Sequence, residues 1–478
     1  MKGLLAVTLA GALASACVDT PSTTPREVTL KSESLGLGTA SAPAVADTWW
    51  TAFNDPQLNG LVEQALKGNP PLAAALARVR AAQSQLSAAR AATYPQVTLN
   101  GNETHQHFSN DYLYPPPFGG SDRWIGSFEA DLSWSIDFFG KQEAQVAQAR
   151  ASAQAAALDA TASRLLLAGT VTQAYVWLWR ADVLIDVAQE AVKQRQGILA
   201  LTAGRVRAGL DTLASQKEAS ALLALSREGL TQARATRDIA VHQIAALIGR
   251  GADAYDIGRP NLNDTALALP AVLPADLLAR RADIAAAQAR IASAFQGREV
   301  ARKAYYPDIN LLALAGTAAF GVNNLFNSTS FQYGAGAAIH LPIFDAGEID
   351  ANYAGATAQL DEAVANYNWA VVTAVRQTAD ALTDLKSLQD RSADQRGAVT
   401  DAQASFDLAR ERYRSGLSPQ QTTLDAEGLL IQTRMQSAQL AGDTIAARVT
   451  LLMAIGGGYA PERQASANVN DKPDNSHE

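Results

Sequence analysis

Few side chains in this sequence stand in a pattern that supports covalent or catalytic chemistry. Cys17 is the only cysteine, so no disulfide can form within one chain. The sequence contains no P-loop, no serine motif of the form G-x-S-x-G and no H-E-x-x-H zinc motif. His105 and His107 share one face of a predicted strand, but no third ligand type lies nearby, so they are interpreted as polar residues of a lumen or loop. We therefore expect no enzymatic activity, no metal and no cofactor.

Cys17 is itself the one candidate for covalent modification. Lys2 is followed by a largely apolar run of fourteen residues, which is typical of a secretory signal and too short to span a bilayer as a helix. Leu13-Ala14-Ser15-Ala16-Cys17 resembles a bacterial lipobox, in which cleavage precedes a cysteine that becomes lipid-modified. Ala14-Ser15-Ala16 also fits an ordinary A-x-A cleavage site, which would cut the same bond. We expect a lipid on Cys17, and the non-acidic Val18 favours delivery to the outer membrane.

Composition limits the remaining functions. The net charge of -8 gives no electrostatic support for nucleic-acid binding. Aromatic residues are 6% and charged residues 18% of the chain, and alanine is frequent throughout. This composition favours long helices packed side by side over a thick globular core.

Two pairs of predicted strands alternate between apolar and polar residues. From Trp124 to Ile136 the even positions are apolar or glycine, whereas the odd positions from Ser127 onward are hydroxylic or acidic. Residues 331–343 repeat the alternation. A strand of thirteen residues is about 43 Å long and could cross a hydrocarbon layer of about 30 Å when tilted. The predicted strands, 94–107, 123–137, 307–321 and 331–343, are therefore interpreted as membrane strands; a sheet with one wet face is the alternative.

A sheet of four strands has two open edges, and their unpaired backbone N–H and C=O groups are unfavourable in lipid. Eight strands would leave an interior filled by side chains, whereas twelve would leave a lumen. A homotrimer is therefore the smallest assembly expected to form a pore.

Two long segments, 140–204 and 346–415, contain no proline and permit helices of about 100 Å each. Small and apolar residues recur at 3,4 spacing within both, which predicts coiled-coil packing. Each segment ends in a tight reversal at Gly209-Leu210 or Gly416-Leu417, where glycine suits a left-handed backbone.

The chain also reads as an internal two-fold repeat, because Tyr94-Pro95 returns as Tyr306-Pro307 and Arg205–Leu210 as Arg412–Leu417. The predicted organisation begins with a signal peptide (1–16) and a lipid-anchored linker (17–46). Two repeats follow, joined by an equatorial linker (251–282): the first covers 47–250, with a β-hairpin at 94–137 and a helical tip near 209, and the second covers 283–455, with a β-hairpin at 307–343 and a helical tip near 416. The chain is predicted to end in an equatorial or disordered tail (456–478).

Together these residues resemble the TolC-like outer-membrane efflux factors, in particular the lipid-anchored NodT or OprM-like branch. The matching segments, spread over almost the whole mature chain, are Trp49-Trp50, Asp55–Leu58, both Tyr-Pro strands, Asp137–Gly140, Leu341–Asp345, Arg412–Leu417, Leu424–Glu427 and Gly456–Gly458. The resemblance implies a membrane α+β fold: a trimeric 12-stranded β-barrel, with four strands per chain, continued by a long periplasmic α-helical barrel with a mixed equatorial region. It also implies an exit channel of a tripartite efflux pump, with a periplasmic adaptor protein and an inner-membrane pump of the RND type as partners.

The resemblance further implies a gate at the periplasmic tip. Asp425 matches an acidic ring, and Tyr413 matches a tyrosine that ties neighbouring coiled coils. Ser418 stands where some members have an arginine, and Ser215 stands where the tyrosine's carboxylate partner is expected, so the closing bonds are expected to differ. Gly209, Leu210, Gly416 and Leu417 match the tips that dock the adaptor. The alternatives are a protein-secretion channel of the same fold and a structural periplasmic coiled-coil lipoprotein.

Overall fold

The computed structural model describes residues 23–37, 45–111, 117–262 and 276–459. Within these ranges the helices and strands, in chain order, are α1 (Pro56–Gly68), α2 (Pro70–Ala91), β1 (Gln96–His107), β2 (Asp122–Ile136), α3 (Lys141–Arg207), α4 (Leu213–Leu247), α5 (Ala282–Arg302), β3 (Asp308–Phe320), β4 (Phe331–His340), α6 (Glu348–Arg414) and α7 (Gln420–Ala454). The four strands begin and end within three residues of the predicted positions, and the two long helices cover most of the predicted proline-free segments. Among the described residues, no helix is both long enough and apolar enough to cross a membrane.

The four strands lie in one compact unit, formed by the segment ending at Thr29, Arg78–Ala156 and Ala287–Tyr367. They form a single antiparallel sheet in the order β1-β2-β3-β4. In the described part of the chain β1 pairs only with β2 and β4 only with β3, so both edges of the sheet are open.

The register separates the sheet into two faces. One face carries exposed apolar side chains, among them Leu99, Trp124, Phe128, Tyr333 and Ile339. We call it the apolar face. Exposed aromatic and aliphatic groups of this extent mark a surface that another apolar phase or protein covers.

The opposite face, which we call the polar face, carries hydrogen bonds that run between strands. Asn100 Nδ2 of β1 donates to Asp131 Oδ2 of β2 at 2.7 Å. Gln332 Nε2 of β4 donates to Glu129 Oε1 of β2, also at 2.7 Å, and therefore reaches across β3. The residue of β3 between them is Gly316; a Cβ there would lie 2.8 Å from Glu129 Cγ and 2.3 Å from Phe128 O. The absence of a side chain at Gly316 is what permits this crossing.

The first described residues are packed against helices of the same unit. Asp361 Oδ1 of α6 accepts hydrogen bonds from the backbone N–H groups of Arg26 and Glu27, at 2.8 and 3.1 Å. Arg298 of α5 donates to the Thr23 carbonyl at 2.9 Å. Residues 23–27 of the predicted linker are thus docked on α5 and α6 rather than forming a free tether.

The second unit, Leu30–Ala77, Ala157–Ala286 and Asn368–Glu478, has its own hydrophobic core. Asp55 is 4% exposed there and caps α1, while its carboxylate accepts from the Tyr175 hydroxyl at 2.7 Å and from the Asn261 N–H at 3.0 Å. The cap, with Pro56 in the first turn, explains where α1 begins. Asp55 therefore joins α1, α3 and the segment after α4.

Helices α3 and α7 pack antiparallel in this unit, with polar contacts between them at several levels along their seam. Gln173 donates to Thr450 at 2.7 Å, and seven residues along each helix Arg180 donates to Asp443 at 2.7 Å. Gly442 lies under the Arg180 side chain, where a Cβ would approach to 2.8 Å. The absence of a side chain at Gly442 thus allows the two helices to approach closely at this point.

Candidate functional site

The two helical hairpins α3–α4 and α6–α7 reverse at glycines with left-handed backbone. Gly209 has φ 72° and Gly416 has φ 74°. The N–H groups of Leu210 and Leu417 bond to the carbonyls of Arg205 and Arg412, five residues earlier, at 2.9 and 2.8 Å. This is the Schellman arrangement that ends a helix, and it explains the chain reversal at both tips.

A buried tyrosine ties one tip to the other. Tyr413 of α6 is 1% exposed, and its hydroxyl donates to Asp211 Oδ2 at 2.6 Å. The same hydroxyl lies 3.2 Å from Thr202 Oγ1 of α3. Because α3 belongs to the first hairpin and α6 to the second, Tyr413 holds the two hairpins together.

Arg205 completes this network. Its Nε donates to Asp211 Oδ2 at 2.7 Å, and one terminal nitrogen donates to the Tyr413 carbonyl at 3.2 Å. The guanidinium carbon lies 4.6 Å from the centre of the Tyr413 ring, a cation–π contact. Breaking the tie between Tyr413 and Asp211 would also disturb the placement of Arg205.

The network has a defined charge state near neutral pH. Burial acts to raise the pKa of Asp211, but the hydrogen bonds from Tyr413 and Arg205 outweigh it and lower that pKa below its usual value. Burial and the neighbouring Asp211 raise the pKa of the Tyr413 hydroxyl. The tyrosine is therefore neutral and the aspartate ionised, so the short hydrogen bond between them is charge-assisted.

The α3–α7 seam continues to this tip. Gln420 Nε2 donates to Thr202 Oγ1 at 3.0 Å, and both side chains are buried. Seven residues further from the tip on each helix, Arg195 Nε lies 3.6 Å from Glu427 Oε2. Thr202 thus connects the Tyr413 network to the seam.

The predicted gate residue Asp425 lies apart from these contacts. It is exposed on α7, and its Oδ1 accepts from Gln421 Nε2 at 2.8 Å. Ser215 does not contact Tyr413: it sits in the first turn of α4, where the Thr212 side chain accepts from its N–H at 3.1 Å. Ser418 Oγ is buried without a hydrogen-bond partner among the described residues. The structure therefore brings Tyr413 together with Asp211, not with position 215.

The tips themselves are open. Leu210 is 64% and Leu417 is 71% exposed. A Cβ added at Gly209 or Gly416 would meet nothing within 4 Å. Each tip ends in an uncovered aliphatic side chain beside a bare backbone, a surface that a partner could contact closely.

His105, His107 and Cys17 are the other residues considered as candidates from the sequence. The register puts His105 and His107 on the apolar face, at the loop end of β1, where His105 packs on Trp124 at 4.9 Å and His107 Nδ1 lies 3.0 Å from Asp122 Oδ1. Their position at the loop end of β1 agrees with the loop alternative of the interpretation from sequence. Cys17, the predicted lipidation site, lies outside the described residues.

The sequence contains a signal for Asp211 but none for Arg205, which the repeat aligns with Arg412. The repeat aligns Asp211 with Ser418, so only the first tip carries an acid immediately after its glycine-leucine pair. This difference between the copies marks Asp211 as a residue whose contact the second tip cannot reproduce with its own Ser418. The buried pair of Arg195 and Glu427 had no comparable signal.

The chain is similar to known proteins over most of its length. The family model described as outer membrane efflux protein matches residues 61–250 and 273–457. The chain is 33% identical over 367 residues to the fusaric acid resistance protein FusA of Burkholderia cepacia, covering 74% of this chain and 69% of that protein. It is 30% identical over 465 residues to the pyoverdine export outer membrane protein OpmQ of Pseudomonas aeruginosa, covering 95% and 97%.

A solved structure has the same fold. The outer membrane protein VceC of Vibrio cholerae superposes with a TM-score of 0.82 at 31% identity, covering 87% of this chain and all of that one.

Proposed function

Because the chain belongs to the outer membrane efflux protein family and is an outer-membrane channel of an efflux system, we propose that three copies form one tunnel, closed at the helical tips by the Tyr413 network. The family consists of transport channels rather than enzymes. The four strands of each copy would contribute to a common 12-stranded barrel. The long helices would continue it into the periplasm.

One observation carries this proposal: the sheet has an exposed apolar face and two open edges. Unpaired backbone N–H and C=O groups are too unfavourable in lipid to remain open, and four strands are too few to close on themselves. Three copies supply twelve strands and a lumen lined by the polar face, including Asp131 and Glu129. The apolar face would contact lipid.

The equal lengths of the corresponding helices support an internal duplication. Helices α3 and α6 both have 67 residues, and α4 and α7 both have 35. We infer that the two hairpins arose as copies and that closure depends on contacts between them, since Tyr413 of one bonds to Asp211 of the other.

A partner must provide the driving energy, because the sequence carries no nucleotide-binding motif. The exposed Leu210 and Leu417 are the surfaces that we assign to a periplasmic adaptor, which would connect the channel to an inner-membrane pump of the RND type. A lipid on Cys17 would hold the N-terminus at the outer membrane. The names of FusA and OpmQ concern small organic compounds, which favours such compounds over proteins as the cargo here.

Single-channel recording tests this proposal directly. Purified mature protein is reconstituted in planar bilayers after its mass has been measured by native mass spectrometry. A trimer with low, cation-preferring conductance is the expected result. Verified trimers that never conduct in the wild type or in Tyr413→Phe would favour a structural role over a channel.

A further inference from the structure

Glu427 is a fully buried carboxyl group that the tip network does not use. It lies on α7 with no exposed surface, and neither carboxylate oxygen has a hydrogen-bond partner among the described residues. Arg195 Nε approaches Oε2 to 3.6 Å, which is an ion-pair distance but too long for a good hydrogen bond. A buried carboxylate held this loosely is unfavourable in its charged form.

Its surroundings are mainly apolar. An apolar cluster is built around this level of the seam, with Leu424 and Leu430 on α7 one turn to either side of Glu427. Its other members, on α3 and α6, are Ile198, Ala402 and Phe406, with Leu222 of α4 packed against them. Among the described residues, the charged group that faces Glu427 is the guanidinium of Arg195. This guanidinium also donates a hydrogen bond to the Leu222 carbonyl at 2.7 Å. Arg195 therefore compensates only part of the charge on Glu427.

This environment makes Glu427 titrate near neutrality. Burial raises its pKa to about 7, against an opposing effect of Arg195. Exposed to water, the same group would return toward its ordinary value of 4.5. The closed seam consequently binds a proton more tightly than an opened, hydrated seam would.

We propose that Glu427 is a proton-linked lock: it takes up a proton when the α3–α7 seam closes and releases it when the seam opens. This inference rests on the proposed gate, because α3 and α7 belong to the two hairpins that Tyr413 ties together. A group that is protonated more readily in the closed state shifts the balance toward closure as the pH falls. The channel is thus held shut in acid and released toward alkaline pH, independently of the Tyr413 network.

The expected size of the pH response follows from the difference between the pKa of Glu427 in the closed seam and its ordinary pKa in an opened, hydrated seam. Each unit of difference in pKa corresponds to a factor of ten in the linked equilibrium. Between pH 5 and pH 8 the ratio of open to closed wild-type channels is expected to rise roughly tenfold or more.

The test compares wild type with Glu427→Gln in planar bilayers from pH 5 to pH 8. Glutamine reproduces the shape of the protonated acid, so the variant is expected to stay mostly closed with little pH response. Glu411→Gln, an exposed glutamate on α6, is the matched control and is expected to keep the wild-type response. A wild-type pH response that survives in Glu427→Gln would overturn the proposal.

Two further measurements distinguish a failure of this proposal from a failure of the proposed Tyr413 gate. Arg195→Gln removes the opposing charge and should move the midpoint of the response to higher pH. Infrared spectroscopy of the trimer at pH 6 should show a protonated carboxyl band that Glu427→Gln lacks, whether or not the channel conducts; an unchanged band would refute protonation of Glu427. If Tyr413→Phe fails to raise conductance while this band is present, the proposed gating role of Tyr413 is wrong, whereas protonation of the buried Glu427 is still supported.

Discussion

The hydroxyl of Tyr413 donates to Asp211 across the boundary between two helical hairpins, at a distance of 2.6 Å. The acceptor lies just beyond the end of α3, and the donor lies in the last turn of α6. A single short bond therefore connects two elements that are more than two hundred residues apart in the sequence. In a channel of this family, such a bond at the periplasmic end would resist separation of the hairpins.

Tyr413→Phe should open the channel. The variant loses a hydrogen bond to an ionised group, which typically contributes about 1.5–3 kcal/mol, and the open fraction should rise by about tenfold or more. Single-channel conductance and open probability measure the change. Tyr305→Phe, which removes a comparable bond to Asp350 of α6 outside the tip, should leave both unchanged, and an equal effect of the two variants would exclude a special role for Tyr413.

The Tyr413 network should not respond to pH in the range where Glu427 titrates. The pKa of Asp211 is lowered in the folded protein, so its stabilising contribution is complete above its ordinary pKa of 3.8 and is lost only as the pH falls through the lower folded value. In a Glu427→Gln background, hydrogen exchange of the tip amides, corrected for intrinsic rates, should stay constant from pH 8 to pH 5. A marked increase in exchange at pH 5 would show that Asp211 is already protonated there.

Asp425→Ala should reduce the cation preference of the channel. Asp425 is exposed and bonded only within its own helix to Gln421 among the described contacts, so its charge is free to act on ions. Three such carboxylates around one axis attract cations, and their loss should lower the cation-to-anion permeability ratio by roughly twofold or more. Reversal potentials in a salt gradient report the ratio. Asp401→Ala on α6 is the control, and equal selectivity in both variants would remove Asp425 from the pore.

Gly316→Val should prevent assembly of the barrel. A Cβ at this position would lie 2.3 Å from Phe128 O and 2.5 Å from Glu129 Cα, so β2 and β3 would have to separate. The disruption is expected to exceed about 3 kcal/mol. The fraction of trimer that resists detergent dissociation on gels measures it. Gly336→Val on β4 has open space around its Cβ, so trimers of that variant should persist.

Asp55→Ala should destabilise the fold without changing conduction. The substitution leaves the Tyr175 hydroxyl and the Asn261 N–H without their carboxylate acceptor in a buried setting. A loss of about 2–5 kcal/mol is expected. Thermal unfolding followed by circular dichroism should show a lower Tm, whereas the exposed Asp256→Ala should not; wild-type stability of Asp55→Ala would mean that water replaces the carboxylate.

The sequence was most informative where one physical rule governs many residues. Absence of proline and 3,4 spacing predicted α3 and α6, and alternation predicted β2 and β4, because each pattern sums over a long window. Gly209 and Gly416 were predictable from the left-handed backbone that a tight reversal needs.

Contacts between distant segments were beyond that reasoning. The family resemblance places the carboxylate partner of Tyr413 at position 215, which is a serine here, so the sequence predicted only that the bond would differ. The actual partner, Asp211, lies four residues earlier, and only the packed tips bring it within reach. The face that His105 occupies could not be predicted, because it depends on the pairing of β1 with β2, which the length of their connecting loop does not fix. The burial of Glu427 could not be predicted, because burial of a charge has no periodic signature in the sequence.

The contacts between α3 and α7 form two pairs, each spaced by seven residues on both helices, and they also restrict how these helices can move. A shift of one helix along the other by one turn, about 5.4 Å, would break all four contacts at once. Axial sliding is therefore unfavourable as a small-amplitude motion. The helices can instead splay apart sideways, with Gln173 and Thr450 closest to the hinge and Tyr413 at the end that opens.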